Sequence, residues 1–278
     1  METMPATKDA TGSQSIERAT NLLAIVAEHH RSGASLGTLV SASGLTRATV
    51  RRLLVALMRA DLVEQDADTR QYRLGAGCYI LGVIASDRFG LHPLAHASVI
   101  RLARASEDTA FFSLRRGDHT TCLIREDGKH PIRSHVLDVG QFHPLGVAAH
   151  GIAILAALPD DEMNAVIEAN TPVYRERYPM LTDELLRQVI AETRERGFAL
   201  NPGIFHPGSW AIGVAVRNAD GVAVGGLSIG SIEQRLQGAR QRELADLLLA
   251  EAKTIEAKLV RQVGKVRRAP SARLVKQA

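Results

Sequence analysis

The chain has 278 residues, 45% of them hydrophobic and 23% charged, with a formal net charge of +4. That is enough apolar material for one large or two medium domains and excludes disorder as the general state, while the small basic excess is compatible with an anionic partner without demonstrating one. Two cysteines, Cys78 and Cys122, form no disulfide framework or metal-ligand spacing, which fits a reducing, cytoplasmic setting. The chain is expected to carry neither signal peptide nor membrane helix, because its first residues lack an apolar core and no apolar run approaches about 18 residues.

Residues 1–14 are small and polar and read as a disordered tail. In "SIERATNLLAIVAEHH", Ser15 is placed to cap a helix whose Ile16, Ala19, Leu23 and Val26 share one face, with Gly33 ending it. "LGTLVSASG" is a short second helix closed by Gly44. Thr46 caps a third, and its stripe Val50, Leu53, Leu54 and Leu57 has the spacing i, i+3, i+4, i+7. "LVEQDADTRQYRLG" reads as two short strands around an Asp-rich turn. The stretch from Ala76 to Asp108 is mostly helical with a break near Gly90 and Pro93, which makes 77–92 a linker helix and opens a second domain over 93–260. Within that domain "TAFFSLRR", "HTTCLIRED" and "IRSHVLD" read as strands separated by Gly-Asp and Asp-Gly turns. "HPLGVAAHGIAILAALPDDEMNAVIEAN" is a glycine-containing loop continuing as helix, and "TDELLRQVIAETRERG" is a helix capped by Thr182 and Gly197. "WAIGVAVRNADGVAVGGLSIGS" is a hairpin turning at Asp220-Gly221, "RELADLLLAEAKTIEAKLVRQV" is a long closing helix, and 261–278 is a basic tail read as a solvated end. The fold class is α+β: a small helical unit over 15–76, a linker helix, and an α+β domain.

The third helix carries the first chemical signal. On a wheel at about 100° per residue, Ala48, Arg51, Arg52 and Val55 lie opposite the apolar stripe. A solvated surface helix would explain that much. A helix-turn-helix, however, needs a tight glycine-bearing turn, supplied by Ser43-Gly44-Leu45. It also needs small or polar residues at the start of the recognition helix, where Thr46, Arg47, Ala48 and Thr49 stand. Arg51 and Arg52 are cations for phosphate and guanine, and the hairpin that follows would be a wing with Arg70 at its tip. Helix, turn, helix and wing in this order point to double-stranded DNA as a partner.

These strings resemble the IclR-type transcriptional regulators. The DNA-binding part is matched by "SIERATNLLAIVAEHH", "LVSASGLTRATVRRLLVALMRADLVEQD" and "YRLGAGCYILG", and the effector-binding part by "HPLAHASVIRLARASEDTAFFSL", "HPLGVAAHGIAILAALPDDE", "VIAETRERGFALNPGIFHPGSWAIGVAV" and "GGLSIGS". The resemblance implies a winged helix-turn-helix joined by a linker helix to a GAF-like effector domain. It implies homodimers or homotetramers that bind operator DNA and respond to a small organic acid, with no cofactor and no enzymatic activity. It carries over Leu145, Gly146, Val147, Ala149 and His150 as the effector loop, with Gly226 and Ser228 on the final strand. Where the family often has an acidic residue this chain has Asn201, and where it often has a cysteine this chain has Trp210, so an aromatic or longer acid stacking on Trp210 is expected. The alternative is a ligand-binding or interaction module that no longer reads DNA.

Other motifs are weaker. Gly226 to Gly230 matches the G-x-S-x-G nucleophile elbow, but no histidine follows Ser228. His92 with His96, or His143 with His150, could face a metal, yet no third ligand accompanies either pair. No phosphate-binding or dinucleotide fingerprint is present.

Overall fold

The computed structural model describes residues 13–133, 136–204 and 206–268. Of the tails expected at 1–14 and 261–278, residues 13–14 begin the first helix and 261–268 end the last one, and the rest lie outside the described residues. The chain divides into two compact units between Phe89 and Gly90.

The first unit contains α1 (Ser13–Glu28), α2 (Leu36–Ser43), α3 (Arg47–Arg59), β1 (Val63–Gln65), β2 (Tyr72–Leu74) and α4 (Ala76–Phe89). Ser15 lies inside α1 and does not cap it, and α1 stops at Glu28, with Gly33 in the turn beyond. The buried face of α1 is Leu22, Ile25 and Val26, with Ala19 and Leu23 at its margin, whereas Ile16 is exposed. The other caps are as the residue types dictate. Ser35 accepts from the Thr38 amide at 3.0 Å, Thr46 accepts from the Thr49 amide at 3.3 Å, and Gly44 closes α2 in the left-handed region at φ 66°. Val50, Leu53, Leu54 and Leu57 are all buried in one core with α1, α2, Val63 and Tyr72. The antiparallel β1–β2 ribbon turns where the Asp66 carboxylate accepts from the Thr69 amide at 2.7 Å. The first turn of α4 then sits directly on the chain that follows α3: a Cβ at Gly75 would lie 2.4 Å from the Asp61 carbonyl oxygen, and one at Gly77 2.7 Å.

The second unit begins with α5 (Leu91–Ser106) and continues with β3 (Thr109–Arg116), β4 (His119–Glu126), β5 (Phe142–Pro144), α6 (Ala149–Ala156), α7 (Asp160–Arg177), α8 (Asp183–Arg196), β6 (Ala199–Asn201), β7 (Ser209–Arg217), β8 (Ala223–Ile232), and α9 (Ala239–Arg268). Its six strands run in the order β5-β4-β3-β8-β7-β6, every neighbouring pair antiparallel. Two sequence expectations change and one element is added. The third strand forms at Phe142–Pro144 rather than in "IRSHVLD", whose described residues lie in a loop. The helix predicted as one piece after the glycine loop is two, because Pro159 has no amide hydrogen to continue α6 and instead stands at the start of α7. The short edge strand β6 falls in a stretch between Gly197 and Trp210 to which the sequence reading assigns no element.

Strand alternation sends the sheet's side chains to two cores. One face, with Phe112, Ile212, Val214, Leu227 and Ile229, packs on α5 and α9. The other face carries small residues, among them Ser209, Ala211, Gly213, Gly226, Ser228 and Gly230, and receives α6 with α7 and α8 behind it. A Cβ at Gly213 would stand 2.6 Å from the Ala149 carbonyl carbon and the His150 amide nitrogen, and one at Gly226 2.9 Å from the His150 Cβ. These two glycines therefore set how closely the first turn of α6 lies on the sheet. Gly213→Ala must push backbone apart, and urea denaturation is expected to show a loss of about 1–3 kcal/mol in the second unit. Gly82→Ala, on α4 with nothing within 4 Å of the added Cβ, should cost nothing in the same assay.

Candidate functional sites

The outer side of α3 is the candidate nucleic-acid surface. Thr46, Arg47, Ala48, Arg51, Arg52 and Arg70 are exposed and Thr49 half-buried, while the stripe beneath holds the helix in place. Thr49 is half-buried because its amide and hydroxyl close the Thr46 cap, the two hydroxyls being 2.9 Å apart. Arg70 sits in the turn of the β1–β2 ribbon at φ 58°, and the Gln65 amide donates to its carbonyl at 3.0 Å. The predicted cations of the helix and the wing are thus all presented to solvent on one small, rigid unit, as backbone phosphates and base edges require.

The second unit holds a partly open cavity of about 40 Å³ at the first turn of α6, lined by Phe111, His143, Ala149, His150, Asn201 and Ser228 among others. Of the predicted effector residues, Ala149, His150, Asn201 and Ser228 reach it. Leu145, Gly146 and Val147 do not. They form the approach to α6 inside the second core, where the Tyr174 hydroxyl donates to the Leu145 carbonyl and Gly146 turns at φ 96° against Leu155, Tyr174 and Leu186. Gly226 faces His150 rather than open space. Trp210 is a correction. Ser209 and Ala211 line the cavity, so the residue between them points through the sheet, where Trp210 packs on the α5–α9 core. The aromatic wall is Phe111, which the sequence could not distinguish from Phe112 because alternation tells that neighbours part company and not which one faces the ligand. His143, read from the sequence only as a possible metal ligand, is also a lining residue.

Hydrogen bonds link many of the polar groups around the cavity. The Asn201 amide donates to the Val147 carbonyl at 2.7 Å and its oxygen accepts from the Ile204 amide at 2.9 Å, stapling the loop before α6 to β6. His150 is fully buried, with Nε2 3.1 Å from the Thr120 hydroxyl and Nδ1 3.1 Å from the Ser228 hydroxyl. His143 Nδ1 lies 3.1 Å from the Tyr178 hydroxyl. Burial, and secondarily the neighbouring His143, pushes the His150 pKa down to about 3; burial and Arg177 push His143 down to about 4. Both rings are therefore neutral at physiological pH. Among the described residues no carboxylate lines the cavity, and α6 starts without a side-chain cap or an acidic residue in its first turn. An uncapped helix start is electropositive and suits an anion.

Ser228 lies within the β7–β8 ladder and its strand continues to Ile232, with no turn into a helix directly after the serine, so the G-x-S-x-G string is not an elbow. His92 and His96 stack with ring centroids 5.6 Å apart, and among the described residues no cluster of three or more His, Cys, Asp or Glu could hold a metal. Among the same residues no helix is long and apolar enough to cross a membrane.

Burial of neutral histidines ties stability to pH. In the unfolded chain a histidine binds its proton near pH 6.5, whereas in the fold His150 and His143 do so only near 3 and 4. Between these values the unfolded state holds more protons, so stability is complete above about pH 6.5 and falls as the pH drops toward 4. Denaturant unfolding at pH 7.5 and 5 should show this loss, and His150→Gln should lessen its slope.

Comparison with known proteins agrees with this architecture. Residues 15–67 match the IclR helix-turn-helix domain and residues 84–257 the bacterial transcriptional regulator IclR C-terminal domain. The HTH-type transcriptional regulator Rv1719 of Mycobacterium tuberculosis is 31% identical over 253 residues, which are 88% of this chain and 92% of that protein. An IclR transcriptional regulator from Alicyclobacillus acidocaldarius has a crystal structure that superposes with a TM-score of 0.73 at 26% identity, over 88% of this chain and 98% of that one. An IclR homolog from Microbacterium hydrocarbonoxydans, solved in complex with 4-hydroxybenzoate, shares the fold at 20% identity and a TM-score of 0.73, again over 88% and 98% of the two chains. The chain belongs to the IclR family: it is a transcriptional regulator with a helix-turn-helix DNA-binding domain followed by an IclR-type effector domain.

Proposed function

We propose that the protein is a homo-oligomer, a dimer or tetramer in the cytoplasm, that grips operator DNA through α3 and the wing, and that a small organic acid bound at the α6 cavity changes its operator affinity. The observation that carries the DNA half is the guanidinium face of α3, exposed over a wholly buried stripe. The effector half is supported by an uncapped helix start facing a cavity with no carboxylate in its walls. A related protein of the same fold holds 4-hydroxybenzoate. In this chain an aromatic acid would meet Phe111 rather than Trp210. Binding would widen the small cavity and so bias one of two arrangements of the effector domain.

Pairing is supported by α4, whose Tyr79, Ile80, Leu81, Val83 and Ile84 are each at least half exposed. A helix so apolar is a liability in water unless a partner covers it. A second copy is the natural partner, since recognition helices read a pseudo-palindromic operator in pairs about one DNA turn apart.

A mobility-shift assay on the region upstream of the protein's own gene tests the main reading. Arg52→Ala is expected to weaken operator binding by about 1–3 kcal/mol, and one member of a carboxylic-acid panel that includes 4-hydroxybenzoate should move the wild-type midpoint about tenfold. Equal binding by the variant sinks the groove assignment, an unshifted operator leaves the interaction-module reading, and indifference to every acid removes the effector. Separately, Leu81→Glu with Ile84→Glu should reduce the particle to monomers in light scattering; an unchanged dimer mass overturns pairing through α4.

A further inference from the structure

The hydrogen-bond row at the cavity has a direction, and the direction selects the ligand. Thr120, His150 and Ser228 come from β4, α6 and β8, and all three are buried. The imidazole bridges the two hydroxyls, with 3.1 Å on each side. A neutral imidazole has one donor and one acceptor, so the row can run in only two ways. In the first, Thr120 donates to Nε2 and Nδ1–H donates to Ser228, which leaves the Ser228 proton without an internal acceptor. In the second, Ser228 donates to Nδ1 and Nε2–H donates to Thr120, which leaves the Thr120 proton stranded.

The two leftovers are not equivalent. Among the described residues His150 is the hydrogen-bonding partner of the Thr120 hydroxyl, and Thr120 does not line the cavity. A stranded proton there is a buried, unsatisfied donor, which is destabilising by about 1–3 kcal/mol. Ser228 does line the cavity, so its proton can be met by whatever fills that space. The first arrangement wins. We propose that Thr120 is a positioning residue for the effector site: by donating to Nε2 it holds His150 as the Nδ1–H tautomer, and His150 in turn aims the Ser228 hydroxyl proton into the cavity. The site then takes an oxygen acceptor, a carboxylate or carbonyl oxygen, and rejects a ligand that brings an N–H donor to the same point. The Thr120 and Ser228 strands are separated by β3, so a residue that never touches the ligand sets its polarity.

The ligand half rests on the reading of this cavity as the effector site, and the test keeps the two apart. Long-range ¹H–¹⁵N correlation spectra of histidine-labelled, full-length protein report the His150 tautomer with no ligand present. The wild type should show Nδ1–H from pH 5 to 8, and Ser228→Ala should keep it, because Nε2–H would still strand the Thr120 proton while Nδ1–H faces the space that Ser228 leaves at the cavity. An Nε2–H wild type overturns the relay. Calorimetry with 4-hydroxybenzoate and 4-hydroxybenzylamine as probes then reads selectivity. Thr120→Val should narrow the preference for the acid about tenfold, while Thr120→Ser, which keeps the hydroxyl, should restore it to within about twofold of wild type. An unchanged preference in Thr120→Val overturns the positioning role. If the wild type binds neither probe and no other acid of the panel, the effector reading fails, and the tautomer spectra still decide the relay.

Discussion

The contact on which the effector unit depends is that between the first turn of α6 and a sheet stripped of side chains beneath it. With Gly213 and Gly226 below, the helix backbone comes to van der Waals distance of β7 and β8. Everything at the cavity follows from that approach. It carries His150 between two strands, within hydrogen-bond reach of both Thr120 and Ser228. It fixes the height of the loop before the helix, which Asn201 and Tyr174 then tie to β6 and α7. Any side chain larger than hydrogen at either glycine would lift the helix, lengthen both imidazole bonds and loosen the loop together.

The two units apply opposite electrostatic strategies. The DNA head displays full charges, long and exposed, on a helix whose position is settled by an apolar stripe on its other side. Such charges act at a distance and are screened by salt. The candidate effector cavity has no formal charge among its described lining side chains at neutral pH, because burial keeps His143 and His150 unprotonated. What it offers an anion is fixed dipoles: a helix start and a directed hydroxyl. These need no reorganisation and act only on contact, which suits a site that must discriminate among small molecules rather than attract a polymer.

The parts legible in the sequence were those encoded locally. The stripe of α3 and the caps Thr46, Gly44, Thr182 and Gly197 are each defined within about one helical turn, so the DNA head could be read almost whole. The effector site is assembled from five strands and a helix, and its membership depends on which face of each strand turns inward. A period of two cannot supply that information, and so Trp210 was placed at the cavity and Phe111 was not. Thr120 was missed for a related reason: it acts through His150, 30 residues away in the chain, and an isolated threonine in a strand carries no signal. The break between α6 and α7 was legible in Pro159 but overridden by a continuous helical pattern on either side.

The small size of the cavity has a mechanical consequence. At about 40 Å³ it accommodates a few water molecules at most, far less than an aromatic ring with its substituents. An aromatic acid seated wholly within the walls would require the tightly seated helix, the loop or Phe111 to yield. On the reading proposed above, occupancy and deformation are then a single event, and no separate relay is needed to announce that the ligand has arrived.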